Sequence, residues 1–270
     1  MEGGRNMKET IIRKIKEIEE IHHIKVLYAV EAGSRAWRVA SENSDYDARF
    51  IYVHHRDWYL SIDPQSSRKK RDVIELPIND SLDINGWELT KALRLFRKSN
   101  PTLLEWLQAV IVYKQADFFI DKMRKLEAEV FNSKVVLYHY LNMARKNYRI
   151  IQSGNLNVKL YIHTIRPLMA CKWIECHDSF PPNNIHHLVD SVVLDRELKH
   201  SINQILMWKM EGNERKDQMM LKDINQFIDE EIQCVEGYVK TVTGEKADPT
   251  PALDEFFRGV LKEVWGDSLE

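Results

Sequence analysis

The sequence predicts an α+β protein: a mixed β-sheet with flanking helices over residues 1–115, followed by an α-helical domain over residues 116–270. Up to residue 115, short apolar segments of strand length alternate with polar turns. After residue 118, apolar residues recur at steps of three and four, which is the spacing of one face of a helix. This change of period along the chain predicts the domain boundary.

Composition and charge narrow the classes of protein to consider. The 270 residues, 44% of them apolar, suffice for one large domain or two ordinary ones. With 39 basic and 41 acidic residues the net charge is -2, which excludes a polycation that binds nucleic acid over its whole surface. The run Arg68–Arg71 is the densest basic cluster and is interpreted either as a local nucleic-acid contact or as a solvated loop.

Cysteine spacing and apolar segments bear on location. Cys171, Cys176 and Cys234 lack the paired spacing of a disulfide framework or a zinc finger. The N-terminus has no apolar signal core, and no stretch reaches the roughly 18 apolar residues of a spanning helix. We therefore expect a cytoplasmic protein with no membrane partner, and the sequence leaves its oligomeric state open.

The elements of the first domain follow from periodicity and turn residues. Ile11, Ile15 and Ile18 have helical spacing, and the alternation after Asp47 is typical of a strand. In chain order, the pattern predicts a helix over 8–22, a strand over 25–30, a short helix over 35–39, a strand over 47–53, an exposed loop over 61–72, strands over 72–78 and 81–84, and a helix over 86–98.

The remainder of the chain is predicted to be helical. Asn100 can cap a helix that begins at Pro101, because asparagine accepts from free backbone N–H groups and proline suits the first helical position. Further helical segments are predicted over 118–150, 157–177, 188–212, 217–243 and 252–265, with interruptions at Pro181–Asn184 and at residues 243–251.

Two motifs around the second predicted strand are suited to phosphate chemistry. Gly33 permits close approach of the backbone, and Ser34 opens a short helix whose free N–H groups favour an anion. Asp45 and Asp47 stand two residues apart, so their carboxylates are expected on one face of the strand. Since hard divalent ions take oxygen ligands, the pair predicts a site for two metal ions. The alternative is that Asp45 caps a turn and Asp47 is a surface strand residue.

A third carboxylate is expected to complete this site and to help deprotonate an attacking hydroxyl. Asp83 is the favoured candidate because it lies between Leu82 and Ile84, where an acidic residue is rare without a partner or a metal. Glu75, in the preceding strand, is the alternative.

Basic residues near the motifs, and others on a later helix, are candidates for binding a triphosphate. Arg35 and Arg49 lie close to the motifs in sequence, and each can instead pair with a surface carboxylate. Lys159, His163 and Arg166 share one face of a predicted helix, which is interpreted either as a phosphate-binding stripe or as a solvated helix face.

The order of an apolar strand, Gly33-Ser34, a spacer and Asp45-Tyr46-Asp47 resembles the nucleotidyltransferase superfamily typified by DNA polymerase β. Within it, the chain is most similar to the predicted nucleotidyltransferases associated with RNA ligases, through Gly33–Trp37, Ser44–Val53, Asp83–Leu89 and Arg166–Leu168. Asp45 and Asp47 match the superfamily motif directly, whereas Asp83 has no tight local motif. Ala48-Arg49 departs from the apolar residues usual after the second aspartate, which leaves the role of Arg49 open.

The resemblance implies a nucleotidyltransferase-like sheet and an enzyme that uses Mg²⁺, with two ions expected and Mn²⁺ as a substitute. Such an enzyme transfers a nucleoside monophosphate from a nucleoside triphosphate, here expected to be ATP, to an acceptor hydroxyl and releases pyrophosphate. The predicted catalytic and metal residues are Asp45, Asp47 and Asp83, and the predicted nucleotide-binding residues are Gly33, Ser34, Arg35, Arg49, Lys159 and Arg166. RNA, protein and small molecules stay open as acceptors. The alternative is a non-catalytic nucleotide-binding or toxin-neutralising protein that retains the fold.

Overall fold

The computed structural model describes residues 2–60, 72–79, 81–212 and 218–266. The chain forms two compact units, of which the first comprises Met1–Gly33, Asp45–Val130 and Ala247–Glu270 and the second comprises Ser34–Ser44 and Phe131–Lys246. The basic run at residues 68–71 and most of the predicted loop over 61–72 lie outside the described residues. The domain boundary after residue 115 stays a prediction.

The first unit contains a mixed β-sheet with flanking helices. The strands are β1 (Ile24–Glu31), β2 (Tyr46–His54), β3 (Val73–Asn79), β4 (Leu82–Glu88) and β5 (Val112–Gln115). The helices are α1 (Glu2–His22), α3 (Arg56–Tyr59), α4 (Leu89–Arg97), α5 (Pro101–Leu107), α6 (Asp117–Val130) and α12 (Thr250–Trp265), and α2 (Gly33–Ala36) begins at the end of the unit's first segment.

The sheet order β3-β4-β2-β1-β5 places β2 between β1 and β4. The β2–β4 pair is parallel, and the other pairs are antiparallel. Ala48, Phe50 and Tyr52 of β2 belong to a buried core that also contains the predicted α1 residues Ile11, Ile15 and Ile18. Because side chains alternate along a strand, the odd-numbered residues of β2 lie on the other face of the sheet.

The second unit is helical. Its long elements are α7 (Ser133–Gln152), α8 (Val158–His177), α9 (Ile185–Val192), α10 (Arg196–Met210) and α11 (Gln218–Thr241). Ile162, Ile165 and Leu168 of α8 lie in a buried cluster that draws on all five of these helices. A mixed sheet with flanking helices, followed by a helical region, confirms the predicted fold class. None of the described helices has the length and apolar character needed to cross a membrane.

The structure corrects the predicted helix over 86–98, since Gly86–Glu88 form the end of β4. Gly86 is paired with Phe50, and a Cβ atom at Gly86 would lie 2.2 Å from the Phe50 ring. The Glu88 side chain then caps α4 by accepting hydrogen bonds from the backbone of Thr90 and Lys91. The helix therefore begins only at Leu89, after its cap.

Three further predictions of elements were wrong in detail. The segments over 118–150 and 188–212 are each two helices, because Asn132 caps α7 and Asp195 caps α10. The helix predicted over 35–39 is the shorter α2, after which Val39 N–H donates to the Ser34 carbonyl at 2.9 Å. The strand β5 was not predicted.

Candidate functional site

Two carboxylates meet where β2 and β4 begin. Asp47 and Asp83 are each the second residue of their strand, and the parallel register pairs them directly. Paired residues of neighbouring strands project to the same face of a sheet, so the two side chains lie side by side. The Asp47 side chain is 29% exposed and the Asp83 side chain 54%. The structure thus brings together two of the three predicted acidic residues at a surface that solvent reaches.

Arg49 bridges the two carboxylates. Its Nη2 atom donates to Asp47 Oδ1 at 2.9 Å and to Asp83 Oδ2 at 2.7 Å. Its Nη1 atom donates to the backbone carbonyls of Ala48 at 3.1 Å and Asp83 at 3.2 Å. The strand register places two negative charges side by side, and one cation from β2 offsets about half of that charge.

The other two acidic candidates occupy different positions. Asp45 directly precedes β2, and its side chain is exposed. Glu75 is paired in register with Asn85, and its carboxylate accepts from Asn85 Nδ2 at 3.0 Å. Within the described residues, no group of three acidic, histidine or cysteine side chains is arranged to hold a metal ion. The assignment of Asp45 and of either Asp83 or Glu75 to a metal site stays a prediction.

Gly33 lies against the Asp47 carboxylate. Its φ angle is 60°, in the left-handed region that favours glycine, and a Cβ atom there would lie 2.2 Å from Asp47 Oδ2. The backbone of the neighbouring Ala32 also donates to the Asp47 carbonyl at 2.9 Å. The glycine is therefore needed for two reasons: the backbone conformation, and the space that the carboxylate occupies.

Glu31 binds the backbone of Asp47 and was not predicted as a site residue. Its side chain is only 1% exposed, and Oε1 accepts from the Asp47 backbone N–H at 2.8 Å. The Tyr113 hydroxyl donates to Oε2. Glu31 directly follows the buried run Val26–Val30. A carboxylate with apolar neighbours is the same signal that singled out Asp83, and it could have identified this residue as well.

One family model matches the sequence over most of the chain. The model of the RNA repair pathway DNA polymerase beta family (RlaP) matches residues 7–259. The chain belongs to this family. Membership in RlaP supports general nucleotidyltransferase activity and confirms the resemblance to the polymerase β superfamily.

Two similar proteins give further context. "Uncharacterized protein YcgL" from Bacillus subtilis (strain 168) is 44% identical over 262 residues, which cover 97% of this chain and 99% of that protein. A crystal structure of a nucleotidyltransferase-like protein from Exiguobacterium sibiricum 255-15 is 11% identical, covers 94% of this chain and 80% of its own, and superposes with a TM-score of 0.32.

In this RlaP protein, the segment between the two motifs belongs to the second unit. Arg35 Nη2 donates to the Ser44 carbonyl at 2.6 Å, and Lys209 Nζ donates to the Ser44 hydroxyl at 3.3 Å. Arg35 therefore fixes the turn that leads to Asp45. A contact of Arg35 with a nucleotide stays a prediction, as does that of the half-buried Ser34.

The predicted basic stripe on α8 is not uniform. Lys159 is exposed, His163 is half-buried, and Arg166 is only 2% exposed. The Arg166 guanidinium lies 4.4 Å from the centre of the Trp37 ring, which also contacts His163 edge-on at 5.1 Å. The interpretation as a solvated helix face is wrong for Arg166, since a cation–π contact holds it inside the helical unit. Phosphate binding by Lys159 and Arg166 stays a prediction.

Proposed function

We propose that this chain is a metal-dependent nucleotidyltransferase that transfers a nucleoside monophosphate from a nucleoside triphosphate, expected to be ATP, to an acceptor hydroxyl and releases pyrophosphate. One observation carries the proposal beyond family membership. Oxygen atoms of Asp47 and Asp83, from adjacent parallel strands, both lie within hydrogen-bonding distance of a single nitrogen atom. That arrangement supports a cation site between the two carboxylates.

The donor set suits a hard divalent ion. Asp47 and Asp83 offer carboxylate oxygens, and the exposed Asp45 precedes Asp47 by two residues. These three residues would hold Mg²⁺, with two ions expected and Mn²⁺ as a substitute. Bound divalent ions neutralise the triphosphate and stabilise the attacking and leaving oxygens of an in-line displacement.

The chain's own groups have definite tasks in this proposal. The acceptor oxygen attacks the α-phosphorus, the bond from that phosphorus to the oxygen shared with the β-phosphate breaks, and pyrophosphate leaves with the electron pair. Asp83, the more exposed of the paired carboxylates, takes the proton of the acceptor hydroxyl. Gly33, which has no side chain, leaves the space that the Asp47 carboxylate occupies. The assignment of Ser34, Arg35, Lys159 and Arg166 to the triphosphate rests on the sequence pattern.

RNA is the acceptor to test first, because the family's name refers to RNA repair. Cytoplasmic location belongs to the same proposal: Cys171, Cys176 and Cys234 are free thiols, as a reducing compartment allows.

The test is incubation of the full chain with α-labelled ATP and separate RNA and protein fractions, alongside a pyrophosphate assay. We expect Asp47→Asn to lower label transfer by at least about 100-fold. The matched control is Asp57→Asn, since Asp57 lies on α3 with a side chain 77% exposed. Full turnover by Asp47→Asn refutes the site. Nucleotide binding without pyrophosphate release from any acceptor fraction favours the non-catalytic alternative.

A further inference from the structure

We propose that Arg49 is an internal counter-cation of the Asp47–Asp83 pair, which competes with divalent metal for the carboxylates and passes to the triphosphate when nucleotide and metal bind together. This inference rests on the proposed function, because it assumes that the two carboxylates form the metal site. In this proposal, Arg49 regulates how tightly the site binds metal, in addition to any contact with substrate.

The two terminal nitrogens of Arg49 have different partners. Nη2 donates to the two carboxylates, at 2.9 Å and 2.7 Å, and so stands at the position where a cation would be attracted by both. Nη1 donates instead to the backbone carbonyls of Ala48 and Asp83. Release of the carboxylates by Nη2 therefore does not require the loss of both Nη1 contacts, so the guanidinium can turn to phosphate while it stays near the site.

The strand register aims Arg49 at this position. Arg49 follows Asp47 by two residues in β2, so the two side chains lie on the same face of the strand. Its partner on β4 is Asn85, which donates its side-chain amide to Glu75. Asn85 thus engages Glu75, while the Arg49 guanidinium engages Asp47 and Asp83.

Partial exposure makes the contact exchangeable. The Arg49 side chain is 19% exposed, while Asp83 is 54% exposed. An ion pair in contact with water is weaker than a fully desolvated one, because water screens the charges and solvates them when they separate. Arg49 can therefore hold two adjacent carboxylates together and still yield them to a divalent ion with oxygen ligands.

A triphosphate offers Arg49 an alternative partner. The planar guanidinium binds phosphate oxygens through paired hydrogen bonds, a geometry that lysine cannot reproduce. Once Arg49 turns to phosphate, it no longer competes for the carboxylates. Nucleotide and metal should consequently strengthen each other's binding, and this coupling is reciprocal.

The experiment is Mn²⁺ titration of the full chain, with free Mn²⁺ followed by electron paramagnetic resonance, with and without a non-hydrolysable ATP analogue. Without nucleotide, we expect Arg49→Gln to bind Mn²⁺ about tenfold more tightly than the wild type, because one competing charge is gone. The matched control is Arg97→Gln, which removes a positive charge elsewhere in the same unit. The Arg97 side chain donates to Thr250 Oγ1 and, within the described residues, forms no hydrogen bond with either carboxylate. That variant should bind Mn²⁺ as the wild type does.

The analogue supplies the second arm. It should tighten Mn²⁺ binding to the wild type, and Arg49→Gln should lose most of this gain. Arg49→Lys keeps the positive charge but lacks the planar guanidinium. Without nucleotide it should therefore bind Mn²⁺ less tightly than Arg49→Gln does, and the nucleotide analogue should not tighten its Mn²⁺ binding. Circular dichroism and thermal unfolding verify that each variant folds.

The outcomes separate the two proposals. If Arg49→Gln binds Mn²⁺ no more tightly than the wild type while Asp47→Asn abolishes binding, Arg49 is only a structural clamp and this inference is overturned, but the metal site stands. If Mn²⁺ binding does not depend on Asp47 in any variant, the proposed function itself is refuted.

Discussion

The two ends of the β2–β4 pair place acidic residues in opposite circumstances. Where the strands begin, Asp47 and Asp83 are paired in register, partly exposed, and share one guanidinium nitrogen. Where they end, Tyr52 is paired with Glu88, whose side chain is 0% exposed. The same two strands therefore carry a carboxylate pair at one end and a single buried carboxylate at the other.

Glu88 is fully supplied with neutral donors. The backbone N–H groups of Thr90 and Lys91 donate to Oε2, and the Tyr59 hydroxyl donates to Oε1 at 2.5 Å. Burial, and after it the negative charge of Glu88, raise the pKa of the Tyr59 hydroxyl, so it stays a donor. A carboxylate satisfied in this way stabilises the fold, whereas the Asp47 and Asp83 carboxylates face each other at an end of the sheet that solvent reaches.

Among substitutions at the two ends of the strands, we expect the largest effect from Gly33→Ala, on turnover. Gly33→Ala places a methyl group where Asp47 Oδ2 lies, and its backbone is left-handed. We expect turnover to fall by about 100-fold and unfolding free energy to fall by about 1–2 kcal/mol. Gly259→Ala is the control, because its Cβ atom would meet nothing within 4 Å and alanine is the better helix former. Equal activity of both variants would contradict the close fit at Asp47.

At the other end of the strands, the expected effect is on stability. Glu88→Ala removes the cap of α4 and leaves the Tyr59 hydroxyl without its acceptor, so we expect a loss of about 3 kcal/mol in thermal or denaturant unfolding. At temperatures well below its unfolding midpoint, the variant should have the same turnover as the wild type. Glu255→Ala, at an exposed position of α12, should change stability by less than about 0.5 kcal/mol. A large loss of turnover in Glu88→Ala without a loss of stability would contradict this prediction.

The smallest effect is expected at Glu31, which positions Asp47 without facing the surface. Glu31→Gln keeps an acceptor for the Asp47 N–H, so turnover should fall by less than about tenfold and stability by about 1 kcal/mol. Kinetics at varied Mn²⁺ concentration distinguishes positioning from ligation. A loss of turnover as large as that of Asp47→Asn would make Glu31 part of the catalytic group.

Much of the end of the sheet that carries Asp47 and Asp83 follows from local sequence. The alternation after Asp47 predicts the strand, and the acidic residue between Leu82 and Ile84 is identified by its apolar neighbours. The Arg49 bridge could not be predicted, because it depends on the parallel pairing of β2 with β4, two segments that are distant in sequence. Local periodicity carries no information on which strands become neighbours.

The errors in the elements have the same origin or a local one. Gly86–Glu88 continue β4 because Phe50 packs on Gly86, a contact between strands that the helix-like sequence after it conceals. Strand β5 has four residues and is stabilised by pairing with β1, so too little periodicity exists to detect it. The end of α6 could have been predicted, since Asn132 is a typical cap.

Anomalous diffraction from crystals soaked in Mn²⁺ with a non-hydrolysable ATP analogue would show directly whether Asp47 and Asp83 bind metal and whether Arg49 releases them. We expect a Mn²⁺ peak at the Asp47 and Asp83 carboxylates, none at Glu88, and an Arg49 guanidinium that has left both carboxylates. Arg49 still bridging Asp47 and Asp83 at saturating Mn²⁺, with metal bound elsewhere or not at all, would contradict this expectation.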